Sequence, residues 1–301
     1  MPTIQTIEQE LVEQLKTIYD INEARSITSI VLQHILQLSR TQLSISKEKE
    51  LTDQQVRSFE MLTEELMLGK PIQYVLGETE FYSCRIKVNE NVLIPRPETE
   101  ELVDWIIKSV IGHQSTVKET QDSGFKTLDL KILDICTGSG CVPIALKKNI
   151  PEAEVSACDI SHEALEMAMK NAVLNKTEIR FFNSDVLSSS FSHSITSTFN
   201  VIVSNPPYVR NLEKQLMHKN VLEFEPHLAL FVEDHDALIF YRKITEFAKS
   251  KLQPGGMLFF EINEAYGNEI AELLGQNNFT EIEIRKDMFG KDRMAKGVLK
   301  L

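Results

Sequence analysis

Ile132-Leu133-Asp134-Ile135-Cys136-Thr137-Gly138-Ser139-Gly140-Cys141 joins a short apolar run to a glycine-bearing turn, and a helical pattern continues from it to Lys148. A buried strand, a tight loop and a helix are the elements this order predicts. Downstream the alternation repeats. Glu154–Asp159 reads as a second strand, and Asp159 or Ser161 caps a helix with Ala164, Leu165, Met167, Ala168 and Ala172 inward. Ile179–Phe182 is a third short strand leading to Asp185. Phe199–Val203 is a fourth, and it opens into Asn205-Pro206-Pro207-Tyr208, where two prolines must end the ladder. Residues 188–197 are serine-rich and carry no usable pattern. Residues 236–249 predict a helix, Pro254-Gly255-Gly256 a turn, 257–262 a fifth strand and 269–274 a helix. Residues 280–286 and 294–301 read as an antiparallel edge pair joined through Gly290-Lys291-Asp292-Arg293. Strands alternating with helices predict an α/β domain, a mostly parallel sheet covered on both faces.

Upstream of Thr127, where this domain begins, the pattern changes. Ile4, Ile7, Leu11, Leu15 and Ile18 recur at helical spacing. A broader apolar face over 24–38 predicts the buried helix of a small bundle. Thr52 or Asp53 caps a third helix, which stops near Gly69-Lys70-Pro71. Tyr74–Gly77, Glu80–Tyr82 and Arg85–Val88 read as short strands of a linking hairpin. Ile94-Pro95-Arg96-Pro97-Glu98-Thr99-Glu100 predicts a stiff extended segment, 100–111 a helix, and 112–125 a polar surface loop. The expected division is a helical domain over 1–72, a hairpin linker over 73–95 and a Rossmann-like domain over 96–301.

The 301 residues carry a net charge of −12, which argues against broad salt-driven binding to nucleic acid. No apolar run approaches a membrane span, and the N-terminus lacks a basic stretch before an apolar core. Cys84, Cys136, Cys141 and Cys158 form no CxxC pair, and the seven histidines show no ligand spacing, so no metal is expected and the expected compartment is the cytoplasm.

The glycine turn and the acid ending the next strand form a nucleoside-binding arrangement. Gly138 and Gly140 allow close backbone approach, and Asp159, about 20 residues on, can accept both ribose hydroxyls. Dinucleotide enzymes share these features. Asp134 favours S-adenosylmethionine instead, because an acid there suits an ammonium and a sulfonium better than a pyrophosphate. Asp185 is placed to meet the adenine amine. Asn205 offers an amide, Pro206 and Pro207 offer carbonyls without competing N–H groups, and Tyr208 offers a flat ring. Such a cluster suits a planar nitrogen bearing hydrogens, either an amide or an exocyclic base amine. A proline-rich turn that merely ends a strand is the structural alternative.

Taken with Ile94–Glu100, Asp134–Gly140 and Glu225-Pro226-His227-Leu228-Ala229-Leu230, the Asn205–Tyr208 cluster resembles the bacterial peptide chain release factor N5-glutamine methyltransferases (the PrmC/HemK family) across nearly the whole chain. The cluster alone is shared with DNA adenine and other methyltransferases; the Pro-Arg-Pro-Glu-Thr-Glu and Glu-Pro-x-x-Ala-Leu segments carry the specificity. The resemblance implies a seven-stranded, mostly parallel methyltransferase sheet with an antiparallel C-terminal edge strand, beside a small N-terminal helical domain. It implies methyl transfer from S-adenosylmethionine, leaving S-adenosylhomocysteine, to the glutamine amide in the Gly-Gly-Gln loop of class 1 release factors. Asp134, Thr137, Gly138, Ser139, Gly140, Asp159, Asp185 and Asn205 would then hold the cofactor. Asn205, Pro206, Pro207 and Tyr208 would hold the acceptor amide, with Arg96 and Glu98 at the substrate mouth. A monomer without a membrane or a stable nucleic acid complex is expected. The family loop has glycine where this chain has Cys136, whose side chain is expected to face the core or the cofactor edge. An adenine-N6 nucleic acid methyltransferase and a non-enzymatic nucleoside sensor are the other readings.

Overall fold

The computed structural model describes residues 1–117 and 130–300, which form two compact units: Met1–Glu78 with His218–Phe224, and Thr79–Met217 with Glu225–Leu301. The first unit is helical. Helix α1 (Ile4–Leu15) buries Ile4, Ile7, Leu11 and Leu15, the stripe its spacing predicts. Helix α2 (Ile21–Leu36) starts at Asp20, whose carboxylate accepts from the Asn22 and Glu23 amides. Two capping boxes follow, Ser39 with Gln42 opening α3 (Arg40–Ile45) and Thr52 with Gln55 opening α4 (Asp53–Met67). The apolar faces meet in one core around Leu15, Val31, Phe59 and Leu66.

Of residues 74–77, expected as a strand, 74–76 instead belong to helix α5 (Ile72–Leu76). Pro71 precedes its first turn, and Gly77 ends it at φ +72°. Proline before and glycine after are helix punctuation, which outweighs the β-leaning Tyr and Val over so few residues.

A hairpin, β1 (Glu78–Phe81) and β2 (Cys84–Lys87), precedes α6 (Pro97–Val117). The extended segment therefore ends at Pro97, which opens the helix because a first-turn residue has no intrahelical N–H hydrogen bond to lose. Residues 112–117 continue α6 rather than starting a loop; the rest of that expected loop, and the domain start at Thr127, lie outside the described residues.

The second unit is built on seven strands: β3 (Lys131–Ile135), β4 (Glu154–Asp159), β5 (Arg180–Asn183), β6 (Phe199–Ser204), β9 (Leu252–Glu261), β10 (Phe279–Lys286) and β11 (Asp292–Leu299). Two-residue β7 (Val209–Arg210) and β8 (Phe231–Val232) pair separately in parallel. The sheet order is β10-β11-β9-β6-β3-β4-β5, with β11 antiparallel to both neighbours and every other pairing parallel. The edge pair thus exists, and β11, the strand that runs against the rest, lies inside the edge formed by β10. Pro254-Gly255-Gly256, read as a turn, lies within β9 as a bulge where the register against β6 shifts.

Alternation along the strands sorts the two faces. Leu133, Ile135, Ile202, Leu258 and Phe260 enter a core with Phe191 of α9 (Phe191–Ser194). Tyr241, Ile244 and Phe247 of the later helix Ile239–Lys251, and Ile270 and Leu274 of Gly267–Gln276, complete that core. Side chains of the other parity, Asp134 and Phe259 among them, face α6, α7 (Cys141–Asn149) and α8 (His162–Leu174); Trp105 of α6 meets Phe259 edge-on at 5.3 Å. From β3 the chain first builds outward through β4 and β5, then returns to lay β6 on β3's other side. The carboxyl ends of β3 and β6 therefore frame a topological switch point, where crevices form in open α/β sheets.

Candidate active site

At that switch point lies a cavity of about 310 Å³. Four strand ends supply its wall: Asp134 to Ser139 from the end of β3 onward, Asp159 to Ser161 from the end of β4, Ser184 to Leu187 after β5, and Asn205 with Pro207 after β6. Residues 90–96 and Thr99 enclose it from the hairpin side, while Pro226, Leu228 and Ala229 come from the Glu-Pro segment.

The glycine loop is held by named bonds. Asp159 accepts from the Gly138 amide (2.8 Å) and the Ser161 amide (3.0 Å), spanning the two loops with one carboxylate. Gly140 sits at φ +78°, and a Cβ there would stand 2.9 Å from Ala168 Cβ. Only glycine permits both the turn and the approach of α7 to α8. Asn171, fully buried on α8, donates to the carbonyls of Ser139 and Lys87 (2.9 Å each) and accepts from the Lys87 amide (2.7 Å). One amide thus joins loop, helix and hairpin. Ser204 Oγ donates to the Ile135 carbonyl at 2.7 Å and fixes the end of β6 against that of β3.

Two polar atoms at the end of β3 and in the loop are buried with no hydrogen-bond partner among the described residues, Asp134 Oδ2 and Thr137 Oγ1. Burial pushes the Asp134 carboxyl up to about 8, the nearby Thr137 hydroxyl opposing the shift and Asp159 adding to it. The orphaned carboxylate oxygen calls for a ligand carrying donors or positive charge, and the hydroxyl can either donate or accept. Cys136 holds φ +63° and packs against the core, and burial raises its thiol well above the ordinary value. It packs as expected, yet it occupies the backbone region that glycine would take without strain.

Arg96 lines the cavity and pairs with Glu225 at 2.5 Å, rather than with the neighbouring Glu98 or Glu100. Glu225, itself buried, also accepts from the Ile94 amide at 3.2 Å. The two motif segments are tied to each other through this carboxylate.

Of the residues singled out from sequence, Arg96, Asp134, Thr137, Gly138, Ser139, Asp159, Asp185, Asn205 and Pro207 share this wall. Gly140 supports it from behind. Glu98, Pro206 and Tyr208 do not line it: Glu98 is in the first turn of α6, Pro206 is buried, and the Tyr208 ring packs on the sheet core. The Tyr208 hydroxyl donates to Glu261 Oε1 at 3.1 Å. Glu261 is buried at the end of β9 and accepts from Thr99 Oγ1 at 2.6 Å through its other oxygen. Thr99 and Asn171 carried no expectation of their own, and Glu261 none as part of the site. The available signals were a threonine between the motif acids, an asparagine on an inward helical face, and a carboxylate directly after an apolar strand.

A doubly covered α/β sheet with a glycine loop after β3, ribose-spaced Asp159 and an Asn-Pro-Pro-Tyr cluster after β6 defines a methyltransferase. Residues 118–229 match the Methyltransferase small domain model and residues 7–77 the PrmC N-terminal domain model. The methyltransferase domain of METTL16 shares the fold, with a TM-score of 0.52 at 15% identity over 74% of this chain and 91% of that one. A release factor glutamine methyltransferase of Flavobacterium psychrophilum is 49% identical over 97% of this chain and 98% of its own length. That of Bacteroides thetaiotaomicron is 40% identical over 94% and 95%. The chain belongs to the release factor glutamine methyltransferase family.

Proposed function

We propose that this protein methylates the side-chain amide nitrogen of the Gly-Gly-Gln glutamine of class 1 release factors, with S-adenosylmethionine as donor. The full-length similarity to release factor glutamine methyltransferases carries this reading. The donor set fits the cofactor: the unpaired Asp134 Oδ2 suits its ammonium, Asp159 its ribose hydroxyls, and Asp185 its adenine amine. Thr137, Gly138 and Ser139 line the same wall, and Gly140 lets the loop approach.

When bound, the cofactor supplies a methyl group on a positively charged sulfur. The chain's residues bind and orient the acceptor. An amide nitrogen is a weak nucleophile, since its lone pair is shared with the carbonyl. Asn205 Oδ1 and the Pro206 carbonyl accept its two hydrogens, which raises electron density on nitrogen and fixes its direction. Pro207 stiffens the loop, Tyr208 braces the cluster from the sheet side through Glu261, and Arg96 and Glu98 guide the substrate at the mouth. The helical domain, residues 1–72, recognises the release factor away from its glutamine, with 73–95 as linker and 96–301 as catalytic domain.

No described helix is long and apolar enough to cross a membrane. We place the protein in the cytoplasm as a monomer when free, without a stable nucleic acid complex. Peptide mass spectrometry of the release factor after incubation with enzyme and cofactor tests the activity. One added methyl on the Gly-Gly-Gln glutamine is expected, and none when that glutamine is alanine. Unchanged incorporation into the alanine variant would sink the proposal.

A further inference from the structure

Asn205 has to present its oxygen, not its nitrogen, to an acceptor that brings N–H donors. A free asparagine amide rotates by half a turn at little cost, so something has to fix which end faces the cavity. In this structure Asn205 Nδ2 lies 3.4 Å from Thr99 Oγ1, which lies 2.6 Å from Glu261 Oε2. The Thr99 hydroxyl has one hydrogen, and a carboxylate can only accept. The hydrogen therefore goes to Glu261, and the Thr99 lone pairs are left to receive the Asn205 NH2. The other oxygen of Glu261 takes the Tyr208 hydroxyl. One buried carboxylate thus sets the polarity of a chain ending on Asn205 and also fixes Tyr208 of the same motif. Neither Glu261 nor Tyr208 lines the cavity, so both act through neighbours.

We infer that Thr99 and Glu261 are positioning residues that lock the Asn205 amide with its oxygen toward the acceptor. This rests on the proposed role of Asn205 in holding the substrate amide. The strand geometry makes the link rigid. Glu261 ends β9, whose preceding Phe260 is in register with Ser204 of β6, and Asn205 is the next residue. Thr99, in the first turn of α6, is buried and bridges them. The Tyr241 hydroxyl donates to the Glu261 backbone carbonyl at 3.2 Å, anchoring the strand end from the opposite face.

The test compares T99V, which keeps the shape and removes the hydroxyl, with T99S, which keeps the hydroxyl. Steady-state methylation of the release factor, calorimetric cofactor affinity and thermal midpoint are measured for each. T99V is expected to lower kcat by ~10- to 100-fold, with KM for the release factor and cofactor Kd changed by less than about twofold; T99S restores most of kcat. E261Q, whose amide can donate toward Thr99 and reverse the polarity, should lower kcat in the same way. Equal losses in T99V and T99S, or a kcat in T99V within about twofold of the parent, would overturn the inference. N205A in the same assay separates the two levels. If N205A keeps kcat, the proposed role of Asn205 fails. If N205A loses it while T99V does not, only the positioning inference fails.

Discussion

At Asp134 the chain holds a carboxyl whose second oxygen meets no donor in hydrogen-bond geometry among the described residues, and burial pushes its pKa up to about 8. The unfolded chain releases that proton near the ordinary 3.8, the empty folded protein near 8. Between those values the folded state binds more protons, so this group's contribution to stability declines as pH rises through the window. A cationic cofactor reverses the preference by favouring the charged carboxylate. Cofactor affinity should therefore tighten as pH rises from about 6 to about 8, approaching tenfold per pH unit at most, with proton release detectable by calorimetry in buffers of different ionisation enthalpy. D134N should flatten that profile and weaken binding; a parent profile that is already flat would remove Asp134 from the cofactor site. Cys136 is the second residue whose backbone state matters. A left-handed φ costs an L-residue about 1–2 kcal/mol, and most for a β-branched one. C136G should remain within about 1 kcal/mol of the parent, because relief of strain offsets lost packing and added unfolded-state freedom. C136V should lose about 2 kcal/mol or more in urea denaturation. A stable C136V would show that the loop relaxes without penalty.

Among the elements, the junction at Asn171 joins more segments than any motif suggests, since one side chain satisfies groups on β2 and the glycine loop. Replacing it with leucine of similar size removes the partner of the buried Ser139 carbonyl and of the partly buried Lys87 amide and carbonyl. A buried group left unpaired costs about 1–3 kcal/mol and the part-buried Lys87 groups less, so N171L should lose about 2 kcal/mol in urea denaturation, and cofactor affinity should fall as the Ser139 carbonyl shifts. Retained stability with normal affinity would mean that water replaces the amide. The sheet around this junction was largely readable in advance. Strands with apolar runs, glycine punctuation and inward helical faces repeat in an order that only a doubly covered α/β sheet accommodates. What periodicity missed were short elements. Helix α3 is six residues and α5 is five, too few for a periodic stripe, although the Ser39–Gln42 capping box and the Pro71–Gly77 bracket were present as signals.

For the whole molecule, the net charge of −12 bears on the choice between a protein and a nucleic acid acceptor. Counterion release drives nucleic acid binding in proportion to the phosphates neutralised, and an acidic chain offers few. Binding to duplex DNA or transfer RNA, measured by fluorescence anisotropy, should stay weak at about 50 mM salt and show little further loss at about 200 mM. Tight binding with a steep salt slope would instead favour the adenine reading of the Asn205 cluster. The sequence by itself determined the parallel α/β class, the place of the glycine loop, the acids that follow the strands and the family, because periodicity, turn chemistry and motif spacing are local properties of the chain. Only the tertiary structure decided that Arg96 pairs with Glu225, that Asn171 spans loop and hairpin, and that Glu261 and Thr99 stand behind Asn205. Those partners lie between 32 and 162 positions apart. Side-chain hydrogen bonds over such separations depend on strand order and register, which no local pattern encodes.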